Sequence, residues 1–155
     1  VERHPLSSNI VWCGGGSDLD IPFLYSSVNS GIDWNSISHI MPDPSTVWSI
    51  EFDPVDAATV YVGGGGFIKT MDGGQSWTHL FGGIVHEVWV DPNDEQHLWI
   101  AVGSSEIYET WDGGFSWKSV ENPIPLGTYI WDIIWHENTE TILLATTSGV
   151  YSYKL

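Results

Sequence analysis

Three dipeptides hold matching places in an internal repeat: Trp48-Ser49, His86-Glu87 and Trp131-Asp132, each following an aliphatic residue (Val47, Val85, Ile130) that opens a strand-like run. Gathered at one point they would supply two indoles, an imidazole, a hydroxyl and two carboxylates. Indole faces suit the apolar side of a pyranose ring, while carboxylates accept hydroxyl protons or serve as an acid–base pair. Glu87 and Asp132 are therefore the candidate catalytic groups, and Trp48, His86 and Trp131 the candidate ligand contacts. For the two tryptophans the competing reading is packing between neighbouring sheets. The acids resist that reading, since a buried carboxylate is costly without a partner and the chain holds only 4 Lys and Arg residues.

Other groups carry less specific signals. Asp18 and Asp20, in an expanded loop from Gly14 to Pro22, offer oxygens to a hard cation such as Ca²⁺; the simpler reading is a solvated loop tip. The 6 histidines show no paired ligand spacing and there is 1 cysteine, so neither a zinc site nor an internal disulfide is expected, nor any cofactor. Cys13, in the run Ile10-Val11-Trp12-Cys13, reads as a buried strand thiol. The Gly63–Gly66 loop is followed by no phosphate-loop lysine and no helix pattern, and no Gly-x-Ser-x-Gly elbow occurs.

The elements that must position the dipeptides follow from the repeat. Thr70-Met71-Asp72-Gly73-Gly74-Gln75-Ser76-Trp77 returns as Thr110-Trp111-Asp112-Gly113-Gly114-Phe115-Ser116-Trp117, and a variant stands at Ser27-Val28-Asn29-Ser30-Gly31-Ile32-Asp33-Trp34. The Asn and Asp positions are 43 and 40 residues apart, a period that marks stacked supersecondary units. In each copy the Asp or Asn side chain closes a turn by accepting from backbone N–H groups ahead of it. Gly31, Gly74 and Gly114 supply the positive φ of that turn. The leading hydroxyl ties the turn to its strand, and Trp34, Trp77 or Trp117 packs the strand that returns. Around these corners, runs rich in Val, Ile, Trp and Tyr between regular turn signals predict an all-β chain of about four four-stranded units. They span approximately residues 1–40, 47–82, 85–121 and 130–155, and the last stops before a fourth strand.

The octapeptides resemble the Asp-box (BNR) repeat, Ser/Thr-x-Asp-x-Gly-x-Thr/Ser-Trp. The match is full at Thr70, Asp72, Gly74, Ser76 and Trp77 and at Thr110, Asp112, Gly114, Ser116 and Trp117. The first copy keeps Ser27, Gly31 and Trp34 but has Asn29 and Asp33, so a looser turn is expected there. The resemblance implies a β-propeller; its members include sialidases, xyloglucan-cleaving glycosidases, sortilin-type receptors and photosystem II assembly factors. Such propellers mostly have more blades than this chain supplies. A half-propeller is therefore expected, completed by another copy or by a missing chain segment, with a small closed ring as the alternative. The resemblance also places ligands on the face opposite the octapeptide corners, where the three dipeptides fall. Sialidases grip their substrate carboxylate with several arginines, and this sequence offers Arg3 alone, so a complete site of that kind is absent from it.

Charge narrows the partners. A net charge of −16, from 20 acidic residues, excludes phosphate-backbone recognition and opposes an anionic membrane. No apolar run reaches the ~18 residues of a spanning helix. The same shortage of cations disfavours an assembly-factor role, for which the resemblance implies a basic patch. The expected function is a non-catalytic binding or scaffold propeller, secreted or cell-surface, recognising a glycan or protein on its loop face. The alternative is part of a secreted xyloglucanase-type glycoside hydrolase using an Asp/Glu pair. A start at Val1 rather than Met points to a removed leader or a longer parent chain.

Overall fold

The computed structural model describes residues 1–16, 22–41, 46–122 and 124–154. Among them the chain forms four antiparallel sheets, each ordered as in sequence. Sheet 1 contains β1 (Glu2–Arg3), β2 (Val11–Gly16), β3 (Pro22–Ser27) and β4 (Asn35–Ser36). Sheet 2 contains β5 (Ser49–Phe52), β6 (Val60–Gly63), β7 (Gly66–Thr70) and β8 (Thr78–Gly82). Sheet 3 contains β9 (Val85–Asp91), β10 (Asp94–Val102), β11 (Glu106–Thr110) and β12 (Lys118–Val120). Sheet 4 has three strands, β13 (Ile130–His136), β14 (Thr141–Thr146) and β15 (Gly149–Lys154).

Strand periodicity sends alternate side chains to opposite faces, and the sheets use both. On β10, Leu98, Ile100 and Val102 pack with Tyr61 and Phe67 of sheet 2, while Trp99 and Ala101 pack with Ile130, Ile133, Ile142 and Leu144 of sheet 4. A third core joins Trp12 and Leu24 of sheet 1 to Ile50, Phe52, Val60, Val62 and Ile68 of sheet 2. The inner strands β1, β5, β9 and β13 contact one another in that order. Sheets stacked face to face about a shared row of inner strands are blades, and the chain is a β-propeller segment of three four-stranded blades and one three-stranded blade. The end blades keep their outward faces exposed: Phe23 and Tyr25 on one, Ile134 and Val150 on the other.

The octapeptide corners join third strands to fourth. Thr70 Oγ1 donates to Asp72 Oδ1 (2.8 Å) and accepts from Gly74 N (2.8 Å); Asp72 accepts from Ser76 N (2.8 Å) and Ser76 Oγ (2.6 Å). Thr110, Asp112, Gly114 and Ser116 repeat the pattern. The looser first corner that Asn29 and Asp33 predict does not form. Ser27 Oγ still accepts from Gly31 N (2.9 Å) and Asn29 Oδ1 from Asp33 N (2.9 Å), with the outer bond reversed so that the Asn29 amide donates to the Asp33 carboxylate (2.8 Å). What weakens there is the two-residue strand β4 and Trp34, which is more exposed than Trp77 and Trp117.

Gly74 and Gly114 have φ of 90° and 97°, and a Cβ on either would press into the preceding blade, at 3.0 Å from Trp12 and 2.8 Å from Leu80. Each corner thus buttresses the blade before it. The expanded loop is also shorter than the glycine run suggests. Gly14, Gly15 and Gly16 are strand, paired with Leu24, Phe23 and Pro22, and each is hemmed in: a Cβ would lie 2.7 Å from Val47 at Gly14, 2.7 Å from the Phe23 ring at Gly15 and against Thr46 at Gly16. Cys13, facing away from blade 2, is half-buried rather than buried.

Thr70→Val should destabilise the chain by about 1–3 kcal/mol in urea unfolding, because the Gly74 N–H stays buried without an acceptor. Hydrogen bonds, first from the Ser76 hydroxyl and the Ser116 hydroxyl, lower Asp72 and Asp112 from the usual 3.8 to about 2. The stability they add is present above about pH 4 and lost as pH falls through about 2. An Asp72→Asn/Asp112→Asn variant should therefore show a shallower drop in Tm than wild type across that window.

Candidate functional site

The inner strands enter their outward turns at His4, Asp53, Asp91 and His136. Three of these side chains take a backbone N–H two residues on: Leu6 N to His4 Nδ1 (3.2 Å), Val55 N to Asp53 Oδ1 (2.9 Å) and Asn93 N to Asp91 Oδ1 (2.8 Å). His136 Nδ1 bonds Thr139 Oγ1 at 3.0 Å. These turns fix the register. Counting back from them, Trp48, His86 and Trp131 share one level, Ser49, Glu87 and Asp132 the next, and Glu2 and Glu51 a deeper one.

At the upper level the rings meet. His86 lies 5.4 Å from Trp48, 6.4 Å from Trp131 and 5.4 Å from Tyr129, and Tyr129 stacks on Trp131 at 6.1 Å. Trp48 is 51% exposed and Trp131 52%, and each packs one edge against His86. Two positions after these rings, Val88 and Ile133 enter the interblade cores. Desolvation lowers the pKa of His86, whose Nδ1 is buried without a protein partner, so the imidazole is the neutral centre of an aromatic platform.

Beneath the rings lie the acids. Glu87 Oε1 accepts from Ser49 Oγ (3.3 Å), and that hydroxyl accepts from Val88 N (3.2 Å), tying β5 to β9. Burial first, then the charges of Asp132 and Glu2, push Glu87 from 4.5 to about 8. Burial first, then Glu2, Glu87 and Asp132, push Glu51 equally to about 8. Among the described residues the ion pairs are those of His97 with Asp91 and Glu109, away from this site, so no Lys, Arg or His side chain is paired with the cluster. A cavity of about 190 Å³ opens here, lined by Glu2, Gly14, Trp48, Ser49, Glu51 and Glu87. At neutral pH it therefore presents protonated carboxyls, which donate as well as accept, under an aromatic rim.

Sequence reasoning named Trp48, His86, Glu87, Trp131 and Asp132, and the fold brings them to one mouth. It missed Glu51, Glu2 and Tyr129. The signal for Glu51 was its place two residues after Ser49, on the same side of the strand; Glu2 holds the same place before His4. Tyr129 precedes its strand and carries no periodic signal. Asp18 and Asp20, the candidate Ca²⁺ ligands, lie outside the described residues. Among the described residues no three His, Cys, Asp or Glu side chains are arranged to hold a metal ion.

The raised carboxyls have a consequence for stability. Their contribution is complete below about pH 4.5, where unfolded and folded chains are both protonated, and is lost as pH rises through about 8. Glu51→Gln should therefore raise Tm relative to wild type at pH 8 and leave it unchanged at pH 4, as read by thermal melts at both values.

No family model matches the chain, and no curated protein matches it. Solved structures do. A GH74 enzyme from Niastella koreensis superposes with a TM-score of 0.78 at 18% identity, over 98% of this chain and 28% of that one. A YCF48 protein bound to a D1 peptide gives 0.66 at 14% identity, over 99% of this chain and 54% of that one. The extracellular domain of a hybrid two-component system from B. thetaiotaomicron gives 0.72 at 17%, over 96% and 20%. The chain thus spans between about a fifth and about a half of the structures it matches. What it shares with all three is the β-propeller fold.

Proposed function

We propose that the chain is a binding segment of an Asp-box β-propeller that takes a glycan at the mouth of its inner strands. The observation that carries this reading is the contiguous platform of Trp48, His86, Tyr129 and Trp131, two of its indoles half-exposed, with Trp48 also walling a cavity lined by carboxyls. A pyranose has the matching profile: an apolar face for the indoles and hydroxyls for the acids below. The exposed outer faces of the end blades support completion of the ring by another copy or by further blades of a longer chain. The fold's occurrence in an extracellular domain supports a secreted or cell-surface setting.

Hydrolysis is the second reading, favoured by one electrostatic feature. Glu87, pushed up to about 8 by burial first and then by Asp132, keeps its proton at neutral pH, as a general acid must. The fold likeness to GH74 enzymes is compatible with it, although those chains are several times longer than this one.

Calorimetric titration with xyloglucan and cellulose oligosaccharides separates the readings. Under the binding reading Trp131→Ala and Trp48→Ala each weaken affinity at least about tenfold, or roughly 1.4 kcal/mol, while Glu87→Gln and Asp132→Asn retain most of it and no reducing sugar is released. Reducing-sugar release that Glu87→Gln and Asp132→Asn abolish would replace binding with hydrolysis. Loss of neither affinity nor turnover in any of the four variants would remove both.

A further inference from the structure

The third blade departs from the repeat at a cluster of side chains far from the inner-strand mouth. His97 is buried on β10, with Nδ1 3.1 Å from Asp91 Oδ2 and Nε2 3.1 Å from Glu109 Oε1. The Trp111 indole lies flat on its imidazole, ring centres 3.6 Å apart and planes within 7°. Blade 2 is the internal control. There Thr59, Lys69 and Met71 hold the places of His97, Glu109 and Trp111, and Thr59 bonds Asp56 instead. Three positions have changed together in blade 3, and the result is an indole held rigidly at the surface.

With one face covered by His97, Trp111 is still 63% exposed, so its other face is open. Trp111 also lines a groove of about 230 Å³ whose remaining wall includes Trp117, Glu109, Lys118 and Ser116. Trp117 is fixed by donation from Nε1 to Gly114 O (3.0 Å). Glu109, itself buried, meets His97 through Oε1 and lines the groove. The groove thus offers two immobilised indoles, a carboxylate acceptor and an ammonium donor. A cationic ligand would meet Lys118, and a purely apolar one would strand Glu109. An amphipathic ring bearing hydroxyls satisfies every wall.

We infer that this groove on the third and fourth strands of blade 3 is a second, surface sugar-binding site, with Trp111 as the stacking platform and Glu109 and Lys118 as hydroxyl partners. His97 is a positioning residue: held between two carboxylates, it fixes the indole's orientation and does not touch the sugar. The site stands independently of the inner-strand mouth, because no residue is shared.

The test is titration of the ¹⁵N-labelled chain with methyl β-glucoside and with cellotetraose, following the indole N–H resonances. The Trp111 and Trp117 signals should move in a saturable manner, and Trp131→Ala should leave those shifts intact. Trp111→Ala should weaken this binding at least about tenfold. Lys118→Ala, which leaves the stack in place, should weaken it about threefold through one lost hydrogen bond. Shifts confined to Trp48 and Trp131 would overturn the inference while sparing the inner-strand site. Unmoved Trp111 and Trp117 signals with both sugars would overturn it outright, as would an unchanged affinity in Lys118→Ala together with Trp111→Ala.

Discussion

Every blade here has two apolar faces, and a sheet of that kind is stable only between neighbours. The run Leu98-Trp99-Ile100-Ala101-Val102 has no polar side to turn to water: alternate residues enter different cores, one against blade 2 and one against blade 4. Face-to-face stacking follows, and with it the convergence of β1, β5, β9 and β13. The corners serve the same constraint. A positive-φ glycine at the tip does more than reverse the chain; it lets the turn lie against the blade before it, where Trp12 or Leu80 leaves no room for a Cβ. Local turn chemistry and interblade packing are one device seen at two scales.

Convergence has an electrostatic result. Inner strands that share an axis bring equivalent positions together, so a polar residue repeated at one level accumulates. Ser49, Glu87 and Asp132 meet in this way, with Glu2 and Glu51 below, and the cations that would neutralise them are elsewhere: Lys69 sits over the Tyr61 ring and Lys118 on an outer strand. The cluster answers by holding protons. Its charge is therefore smaller, and its hydrogen-bonding repertoire wider, than a count of acids implies.

The blades were legible in the sequence because each signal was local. Corner residues, strand alternation and turn spacing all act within a few positions of the chain. The three dipeptides were legible because the repeat register carried them. What escaped depended on contacts between blades. Gly14 to Gly16 read as a loop from composition alone; they are strand through pairing with β3, and Val47 and Thr46 leave no space for a side chain at Gly14 and Gly16, which one unit's sequence does not state. Tyr129 joins the platform only because blade 4 brings it against His86 of blade 3. The first corner was misjudged for a different reason: swapping Asn and Asp across the turn conserves the hydrogen bond and merely exchanges donor for acceptor.

The same comparison between copies bears on where function resides. Stability alone gives Glu51 and Glu87 no purpose. A glutamine at Glu87 would still accept from Ser49 without the cost of staying protonated above the usual carboxylate range, and Glu51 occupies a level where blade 3 has Trp89 and blade 4 has Ile134. Buried acids that repel one another are a standing cost above about pH 4.5, and the scaffold offers apolar precedents at one of the two places. Departures from local consistency of this kind concentrate where a chain does its work. The cost is borne at the mouth, under the half-exposed rings of Trp48 and Trp131, and not along the well-packed interblade faces. The proposed ligand mouth and the electrostatically costly level of the inner strands therefore coincide.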